Sequence, residues 1–358
     1  MEKQLFKEHW ITDYMGTEAG KVPVVKTTLQ LKDQLGSWKA RWGINRMGYA
    51  VEPGLYAVGS PDSQTPVFVS ANYKMSFDAL RRSLKNISAW ILVLDTKGIN
   101  VWCAAGKGTF GTDEIVNRIE KTNLSKVVSH RTIIVPQLGA PGVSAHKVKE
   151  QSGYRVVYGP VRASDILQFM DNNLKTTVEM REVKFSFFDR LVLTPIEIMS
   201  WGRRMFWSKR ALIIIAMLFL VAGLDRRGFL IDKALRLGLQ GIVMYSAAFL
   251  CGAIFTPLLL PWLPGRAFSI KGAFLGFLVA LGIGWYRWNA AASFGIKINI
   301  LAWLFLVSAI SSFIAVTFVG ASTYTSISGV FKEMTRAVPL QIVMIIVGIL
   351  LLITGQFV

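Results

Sequence analysis

Cysteine is scarce in this chain of 358 residues, which contains only Cys103 and Cys251. Two cysteines cannot form a disulfide framework, and they are too few to hold an iron–sulfur cluster or a structural zinc ion. The three histidines, at positions 9, 130 and 146, do not have the spacing of metal ligands either. Cys251 lies in an apolar run and is most simply a small buried side chain. We therefore expect neither a protein-bound iron–sulfur cluster nor a zinc site.

Acidic residues are also few, because the chain has 22 of them against 40 lysines and arginines, a formal net charge of +18. Such an excess could indicate a nucleic-acid-binding protein, but no nucleic-acid-binding motif accompanies it. Attraction to the anionic inner leaflet of a membrane and the positive-inside bias of membrane proteins explain the excess better. We therefore expect membrane lipids, and not nucleic acid, as partners. The start of the chain, Met1 to Trp10, is charged and lacks the apolar core of a signal peptide, so the soluble part should stay in the cytoplasm.

Long apolar stretches, in contrast, fill the C-terminal part of a chain that is 52% hydrophobic overall. They centre on residues 211–224, 236–260, 268–286, 299–319 and 338–357. Since a membrane span needs roughly twenty residues, we predict that 211–358 is an all-α transmembrane domain of five helices. The basic cluster within 203–210 precedes the first stretch and predicts a multi-pass protein of the cell inner (cytoplasmic) membrane, with its C-terminus outside. The absence of acidic residues from these stretches argues against a proton-driven transporter, and it remains open whether the domain only anchors or also guides a metal.

Residues 1–175 alternate between short apolar runs and segments with a helical pattern. The expected strands are 67–69, 90–94, 132–135 and 154–158, and the expected helices lie near 77–84, 113–121, 144–151 and 164–172. This alternation predicts a doubly wound, mostly parallel, Rossmann-like α/β domain. The remaining expectations are a polar arm over 1–35, a β-hairpin over 41–58, an extended segment over 177–185, and an amphipathic linker at the membrane surface over 176–210.

Each expected strand ends in a loop of small residues or of glycine and proline. Parallel strands bring such loops to one edge of the sheet, where α/β proteins bind ligands. Glycine-rich loops let backbone amides approach a large flat ligand closely, although ordinary tight turns have the same composition. The residues alone therefore predict a ligand-binding edge without identifying the ligand.

The loop after residues 90–94 contains the segment Asn100-Val101-Trp102-Cys103-Ala104-Ala105-Gly106-Lys107. Asn100 can cap a short helix, which would place the Cys103 sulfur in the first turn, where the positive helix end favours thiolate. Lys107 lies four residues on and would favour the anion further. A second expected N-cap is Thr112, at the start of the next helix. The alternative is that Cys103 is a structural cysteine buried in a loop. A phosphate-binding loop is excluded, because Val101 and Gly108 stand where that motif needs Gly and Ser or Thr.

This eight-residue segment closely resembles the signature of the membrane-bound corrinoid proteins of anaerobic mercury methylation. That family is related to the cobalamin domain of the corrinoid iron–sulfur proteins of the acetyl-CoA pathway, which lack this cysteine. The resemblance extends over nearly the whole chain, and it also includes residues 38–43, 51–56, 70–74, 136–142, 158–162, 263–266 and 324–330.

The resemblance implies a cobalamin bound in the base-off form, with Cys103 on a short cap helix as the lower axial ligand of cobalt. It implies that Cys103 is both the metal ligand and the catalytic residue. Trp102 would then pack, while Ala104, Ala105 and Gly106 would keep the face toward the corrin clear. The residues expected to contact cobalamin are Asn100, Val101, Trp102, Cys103, Ala104, Ala105, Gly106, Lys107, Gly108, Thr109, Phe110, Ser70, Asn72, Gly139, Ala140, Pro141, Gly142, Gly159, Pro160 and Val161.

The activity implied by the resemblance is transfer of a methyl group from methyl-cobalamin to Hg(II), which gives methylmercury. A thiolate ligand would favour release of the methyl group in carbanion-like form. The implied partners are a ferredoxin-like electron donor with two four-iron clusters and a methyl donor such as a methyl-folate. Two other functions stay open: a corrinoid methyl carrier of carbon metabolism with a different acceptor, and a membrane receptor or transporter subunit that binds no corrinoid.

Overall fold

The computed structural model describes residues 8–288, 293–319 and 327–358. The chain divides into two compact units, Met1–Lys184 and Phe185–Val358. Of the segments that carry the family resemblance, residues 324–326 lie outside the described residues.

A seven-stranded mixed sheet forms the centre of the first unit, in the order β1-β2-β3-β5-β4-β6-β7. Its strands are β1 (Ile11–Thr17), β2 (Gly20–Val25), β3 (Gly54–Val58), β4 (Val67–Ala71), β5 (Ala89–Leu94), β6 (Thr132–Val135) and β7 (Arg155–Tyr158). Four of the six strand pairs are parallel, including those that join β5, β4, β6 and β7. Every residue of β4 and β5 is buried, as expected for apolar runs in a sheet that is covered on both faces.

Helices cover both faces of this sheet. They are α1 (Leu31–Arg41), α2 (Lys74–Ser83), α3 (Val101–Lys107), α4 (Thr112–Lys121), α5 (Ala145–Ser152), α6 (Ile166–Asp171) and α7 (Val178–Arg181). Phe77 of α2 and Phe169 of α6 pack in the core on one face, whereas Ile115 of α4 and Val148 of α5 pack on the other. The expected helices flanking a mostly parallel sheet are therefore present, in a mixed α/β domain.

The N-terminal part of this unit differs from expectation. The hairpin lies at β1–β2, within the segment predicted to be a polar arm, and not over 41–58. Its turn is held by Thr17, whose Oγ1 donates to the carbonyl of Gly20 at 2.7 Å, and Gly20 has φ +112°. Residues 42–48 instead form turns in which Gly43 and Asn45 adopt positive φ. A polar, half-exposed hairpin has little hydrophobic signal, which explains why the sequence did not reveal it.

Two smaller expectations are also wrong. The N-cap of α4 is Gly111, and Thr112 is the first helical residue, whose Oγ1 accepts a hydrogen bond from the Ser144 amide at 2.9 Å. The segment 177–185 is not fully extended, because α7 begins after Thr177, whose hydroxyl caps it by accepting from the Met180 amide.

The second unit is helical. Its elements are α8 (Phe187–Leu191), α9 (Thr194–Phe206), α10 (Lys209–Gly223), the small strands β8 (Leu224–Asp225) and β9 (Gly228–Phe229), α11 (Ile231–Leu250), α12 (Thr256–Leu259), α13 (Phe268–Trp288), α14 (Phe294–Val319) and α15 (Ile327–Phe357). Four helical segments in the described residues are long and apolar enough to cross a membrane. There are five if 187–206 and 209–223, which are bent by 57° relative to each other, count as one span. The unit is therefore compatible with a membrane protein.

Close helix contacts within this unit depend on small residues. Gly272 of α13 packs on α14, since a Cβ at this position would lie 2.6 Å from the Cβ of Ala315. Ser311 of α14 donates a hydrogen bond from Oγ to the Gly272 carbonyl at 2.8 Å. Cys251 is buried in a π-helical turn between α11 and α12, as expected for a packing residue. Such small and weakly polar contacts are typical of membrane helix packing.

Candidate functional site

The carboxyl ends of β4, β5, β6 and β7 lie at one edge of the sheet, because these strands are parallel. Strand β5 lies on one side of β4, and β6, which comes later in the chain, lies on the other side of β4. The strand order therefore reverses between β4 and β6. Open α/β sheets bind ligands at the carboxyl edge next to such a reversal. All the loops with predicted site residues follow these four strands and therefore belong to this edge.

Cys103 lies in the first turn of α3, the helix that follows β5. Asn100 Oδ1 accepts a hydrogen bond from the Cys103 amide at 2.9 Å, so the expected cap is confirmed. The helix ends at Gly108, which has a left-handed conformation with φ +81°. The amides of Thr109 and Phe110 then donate back to the Ala104 carbonyl at 3.0 and 3.1 Å. Cys103 itself is half-buried.

The sequence predicts that the surroundings of Cys103 favour the thiolate, but their net effect is to raise the pKa of the thiol. Burial raises the pKa of the Cys103 thiol, whereas Lys107, the Asn100 side chain and Arg46 lower it, and the net direction is upward. The predicted contribution of Lys107 is therefore present, but the desolvation of a half-buried thiol outweighs it.

Arg46 and Tyr73 are neighbours of Cys103 that the sequence did not predict. The Arg46 guanidinium carbon lies 5.4 Å from the centroid of the Tyr73 ring, and Nη1 donates to the Ala40 carbonyl at 3.2 Å. The neighbouring turn reaches the loop before α3, because the Met47 carbonyl lies against Gly98. No local pattern marks Arg46, since its position depends on the packing of residues 42–48 on this loop.

The inner face of α3 is part of the core, which corrects the expectation for Ala104 and Ala105. These alanines are 0% and 5% exposed and belong to the hydrophobic cluster beneath the sheet edge, while Gly106 and Lys107 are exposed. Val101 also packs against this cluster, and Trp102 is half-buried. The alanines therefore attach α3 to the core, and its outer face carries the half-buried Cys103 and the exposed Gly106 and Lys107.

A 3₁₀ turn after β6, Gln137–Gly142, supports α3 from the side. A Cβ on Gly142 would lie 3.0 Å from the Cα of Ala105 and would also collide with the Phe110 carbonyl oxygen. A Cβ on Gly139 would collide with the buried ring of Phe110. These two glycines permit close packing, whereas Ala140 is half-buried and Pro141 is exposed at the edge.

Asn72 organises the loop between β5 and α3. Its Oδ1 accepts hydrogen bonds from the Thr96 amide at 3.1 Å, the Thr96 hydroxyl at 2.8 Å and the Gly98 amide at 2.9 Å. Asn72 is 6% exposed, and Ser70 is also buried, with its hydroxyl donating to the Ala71 carbonyl. Both residues are buried beneath the site, where Asn72 supports the loop, and neither offers a free surface to a ligand.

The loop after β7 is held in the same way. The Gly159 amide donates to the Val135 carbonyl at 2.8 Å, and the Val161 amide donates to the Met180 carbonyl at 2.8 Å. Gly159 and Pro160 are buried, and Val161 is half-buried. Among the predicted residues of this loop, Val161 is the one with partly accessible surface.

Comparison with known proteins relates this domain to corrinoid proteins. Residues 42–170 match the model of the CO dehydrogenase/acetyl-CoA synthase delta subunit family. The gamma subunit of the acetyl-CoA decarbonylase/synthase complex of Methanocaldococcus jannaschii is 33% identical over 130 residues, which cover 36% of this chain and 26% of the relative. The corrinoid/iron–sulfur protein large subunit of Moorella thermoacetica is 30% identical over 126 residues, 35% of this chain and 28% of the relative.

The alignments with these curated relatives span about a quarter of the relatives' length. The similarity falls on the segment that contains α3 and the loops at the carboxyl edge of the sheet. The domain is therefore related to a family of corrinoid proteins, and it is followed in this chain by long apolar helices.

Proposed function

We propose that the first unit binds cobalamin in the base-off form, that Cys103 is the lower axial ligand of cobalt, and that the protein transfers a methyl group to Hg(II). The observation that carries the proposal is the position of Cys103. It is a half-buried thiol on a capped helix at the carboxyl edge of an α/β sheet, in the segment related to corrinoid proteins.

The residues around Cys103 fit a corrinoid. A corrin ring already supplies four ligands to cobalt, so the protein needs to provide a single donor, and a thiolate can act as one. The outer face of α3 suits a flat ligand, because Gly106 has no side chain and Lys107 is exposed. Trp102, Ala140, Pro141 and Val161 add partly accessible apolar surface at the same edge.

When bound, the corrinoid supplies methyl-transfer chemistry, and its reactivity depends on the axial ligand that the protein provides. Cys103 would donate more electron density than a neutral ligand, which favours delivery of a carbanion-like methyl group to a soft cation such as Hg(II). Burial raises the pKa of the Cys103 thiol, and Lys107 and Arg46 offset part of this effect by favouring the thiolate. Asn100 holds the first turn of α3, and Asn72 holds the loop before it.

Partners and location follow from the same proposal. Delivery of a carbanion-like methyl group requires two electrons from outside in each cycle, and two cysteines cannot hold iron–sulfur clusters. We therefore propose a ferredoxin-like partner with two four-iron clusters, and a methyl-folate as the methyl donor. The apolar helices would place the protein in the cell inner membrane, in contact with membrane lipids, with the α/β unit in the cytoplasm and the C-terminus outside.

A second function has support from the comparisons. The curated relatives are subunits of acetyl-CoA decarbonylase/synthase complexes and a corrinoid/iron–sulfur protein. A methyl carrier of carbon metabolism with a different acceptor would use the same cobalamin-binding edge. The two functions differ in whether the axial thiol and Hg(II) are needed for methyl transfer.

The deciding experiment compares variants of Cys103 in full-length protein that is reconstituted with cobalamin and supplied with Hg(II), an anaerobic electron donor and a methyl-folate as the methyl donor. Cys103→Ala should abolish methylmercury formation while the protein still folds, and Cys103→His should retain a ligand yet lose most activity. Cys251→Ala is the matched control and should retain activity, because this thiol is buried among apolar helices.

The visible spectrum of each purified variant reports bound corrinoid separately from activity. Wild-type methylmercury formation by Cys103→Ala would refute the thiolate mechanism. Normal cobalamin binding by the wild-type protein without any methylmercury would favour the carrier of carbon metabolism. A wild-type protein that stays colourless after reconstitution would contradict both functions.

A further inference from the structure

Helix α1 carries an apolar stripe that faces away from the protein. Leu31, Leu35, Trp38 and Trp42 recur at intervals of four, three and four residues, which places them on one side of an α-helix. Leu31, Leu35 and Trp38 are 69%, 51% and 56% exposed. Trp42, the half-buried residue that follows α1, has its ring 5.9 Å from that of Trp38. We name these four residues the outer stripe.

The opposite side of α1 is firmly attached to the first unit. Ala40 is fully buried, and Asp33 is 2% exposed. Asp33 forms ion pairs with Lys74 at 2.8 Å and with Arg81 at 2.9 Å, both on α2. The outer stripe is thus presented on a helix whose other face already has its packing partner.

Positive charges flank the outer stripe on both sides. At about 100° per residue, Lys32 and Lys39 lie along one border of the stripe, and Arg41 lies along the other. The acidic residue of this helix, Asp33, is on the buried side and is paired there. The exposed surface of α1 therefore combines leucine and tryptophan with lysine, and the half-buried Arg41 adds a cation at its border. This is the composition of helices that lie in a membrane interface.

We propose that the outer stripe of α1 docks on the surface of a bilayer that contains anionic lipid. The leucines and tryptophans would enter the boundary between headgroups and acyl chains, and the flanking cations would meet the headgroup charge. The long apolar helices of the same chain keep a membrane within reach, which raises the local concentration of lipid around α1.

A second protein helix is less suited than a lipid surface to cover the outer stripe. The stripe covers about three helical turns, whereas a coiled coil is normally sustained over three or more heptads. Tryptophan pairs bordered by cations are instead typical of contact with a lipid interface. The docking of α1 does not depend on which methyl acceptor the protein uses.

Spin labels on the full-length protein in nanodiscs test this proposal. Leu35→Cys is labelled in a background with Cys103→Ser and Cys251→Ser, and Leu31→Cys provides a second position on the outer stripe. The matched control is Glu120→Cys, an exposed position on α4, which packs on the other face of the sheet. Power-saturation measurements then give the collision rates of each label with oxygen and with a water-soluble Ni(II) chelate.

In nanodiscs that contain phosphatidylglycerol, labels on the outer stripe should collide with oxygen more often than the control. Their collision rate with the Ni(II) chelate should be at least about threefold lower, because lipid excludes the chelate. Collision with the chelate at the control rate would mean that the stripe faces water, and low rates with both reagents would mean that protein covers it. Either result would overturn the proposal.

Charge reversal separates the role of anionic lipid from that of apolar surface. Lys32→Glu with Lys39→Glu should increase collision with the chelate at position 35, and so should replacement of phosphatidylglycerol by phosphatidylcholine. If both changes leave the collision rates unaltered, the proposed preference of the outer stripe for anionic lipid is wrong.

Discussion

The packing of α3 against the 3₁₀ turn 137–142 can be tested with Gly142→Ala. A Cβ at position 142 would lie 3.0 Å from the Ala105 Cα and 3.1 Å from its carbonyl oxygen, and closer still to the Phe110 carbonyl oxygen. These are backbone atoms, so the contact can be relieved only if α3 or the turn moves. Overpacking of this kind costs typically about 1–3 kcal/mol. We therefore expect Gly142→Ala to loosen α3 and to shift the Cys103 thiol.

Hydrogen exchange of the full-length protein measures this effect directly. A loss of about 1–3 kcal/mol corresponds to a decrease of about 5- to 150-fold in the protection of the amides of α3. Gly16→Ala is the matched control, because a Cβ there meets no atom within 4 Å. If the proposed function is correct, Gly142→Ala should also retain less cobalamin than Gly16→Ala. Equal protection of α3 in the two variants would refute the assigned packing.

Three further outcomes follow from the contacts beneath the site. Asn72→Ala removes the acceptor of three buried hydrogen bonds and should cost about 1–3 kcal/mol, seen as faster exchange of the amides at 96–100, whereas unchanged exchange would contradict this role. Asn100→Ala removes the cap of α3 and should cost about 1 kcal/mol, measured by the same exchange method with Asn100→Ser as the conservative control. Burial would raise the pKa of Asp33, but the hydrogen bond and charge of Lys74 and the charge of Arg81 hold it well below the ordinary value of 3.8. The stabilisation of α1 by Asp33 is therefore present above about pH 4 and is lost progressively as the pH falls below it. The variant Asp33→Asn should remove this pH dependence from the unfolding of α1.

The parallel strands could be predicted because their apolar runs are continuous. All six residues of β5 and all five of β4 are buried, so the sequence needs no alternating pattern to mark them as strands. The cap at Asn100 could also be predicted, since it depends on local spacing alone. For these reasons the sequence alone predicts these strands and the start of α3 correctly.

Features that depend on contacts between distant segments could not be predicted. Helix α1 begins without a strong local signal and is held by Asp33, whose partners Lys74 and Arg81 lie more than forty residues away. The burial of Ala105 follows from its contact with the turn at Gly142, which α3 alone does not reveal. Arg46 acts electrostatically on Cys103 for a similar reason, because the turn before β3 packs on the loop before α3. Tertiary packing thus decides which residues of the predicted site are exposed at the edge of the sheet and which are buried beneath it.

The two cysteines differ in ways that bear on metal binding. Cys251 is 1% exposed in the π-helical turn Cys251–Phe255, so a thiolate there would be buried without a described compensating charge. Burial of Cys103 also raises the pKa of its thiol, but Lys107, the Asn100 side chain and Arg46 offset part of this effect by favouring the anion. A soft metal ion binds thiolate and not thiol, so the same surroundings that favour the anion also favour a metal ligand. Of the two thiols, Cys103 is therefore the one whose described surroundings offset part of the cost of forming a thiolate.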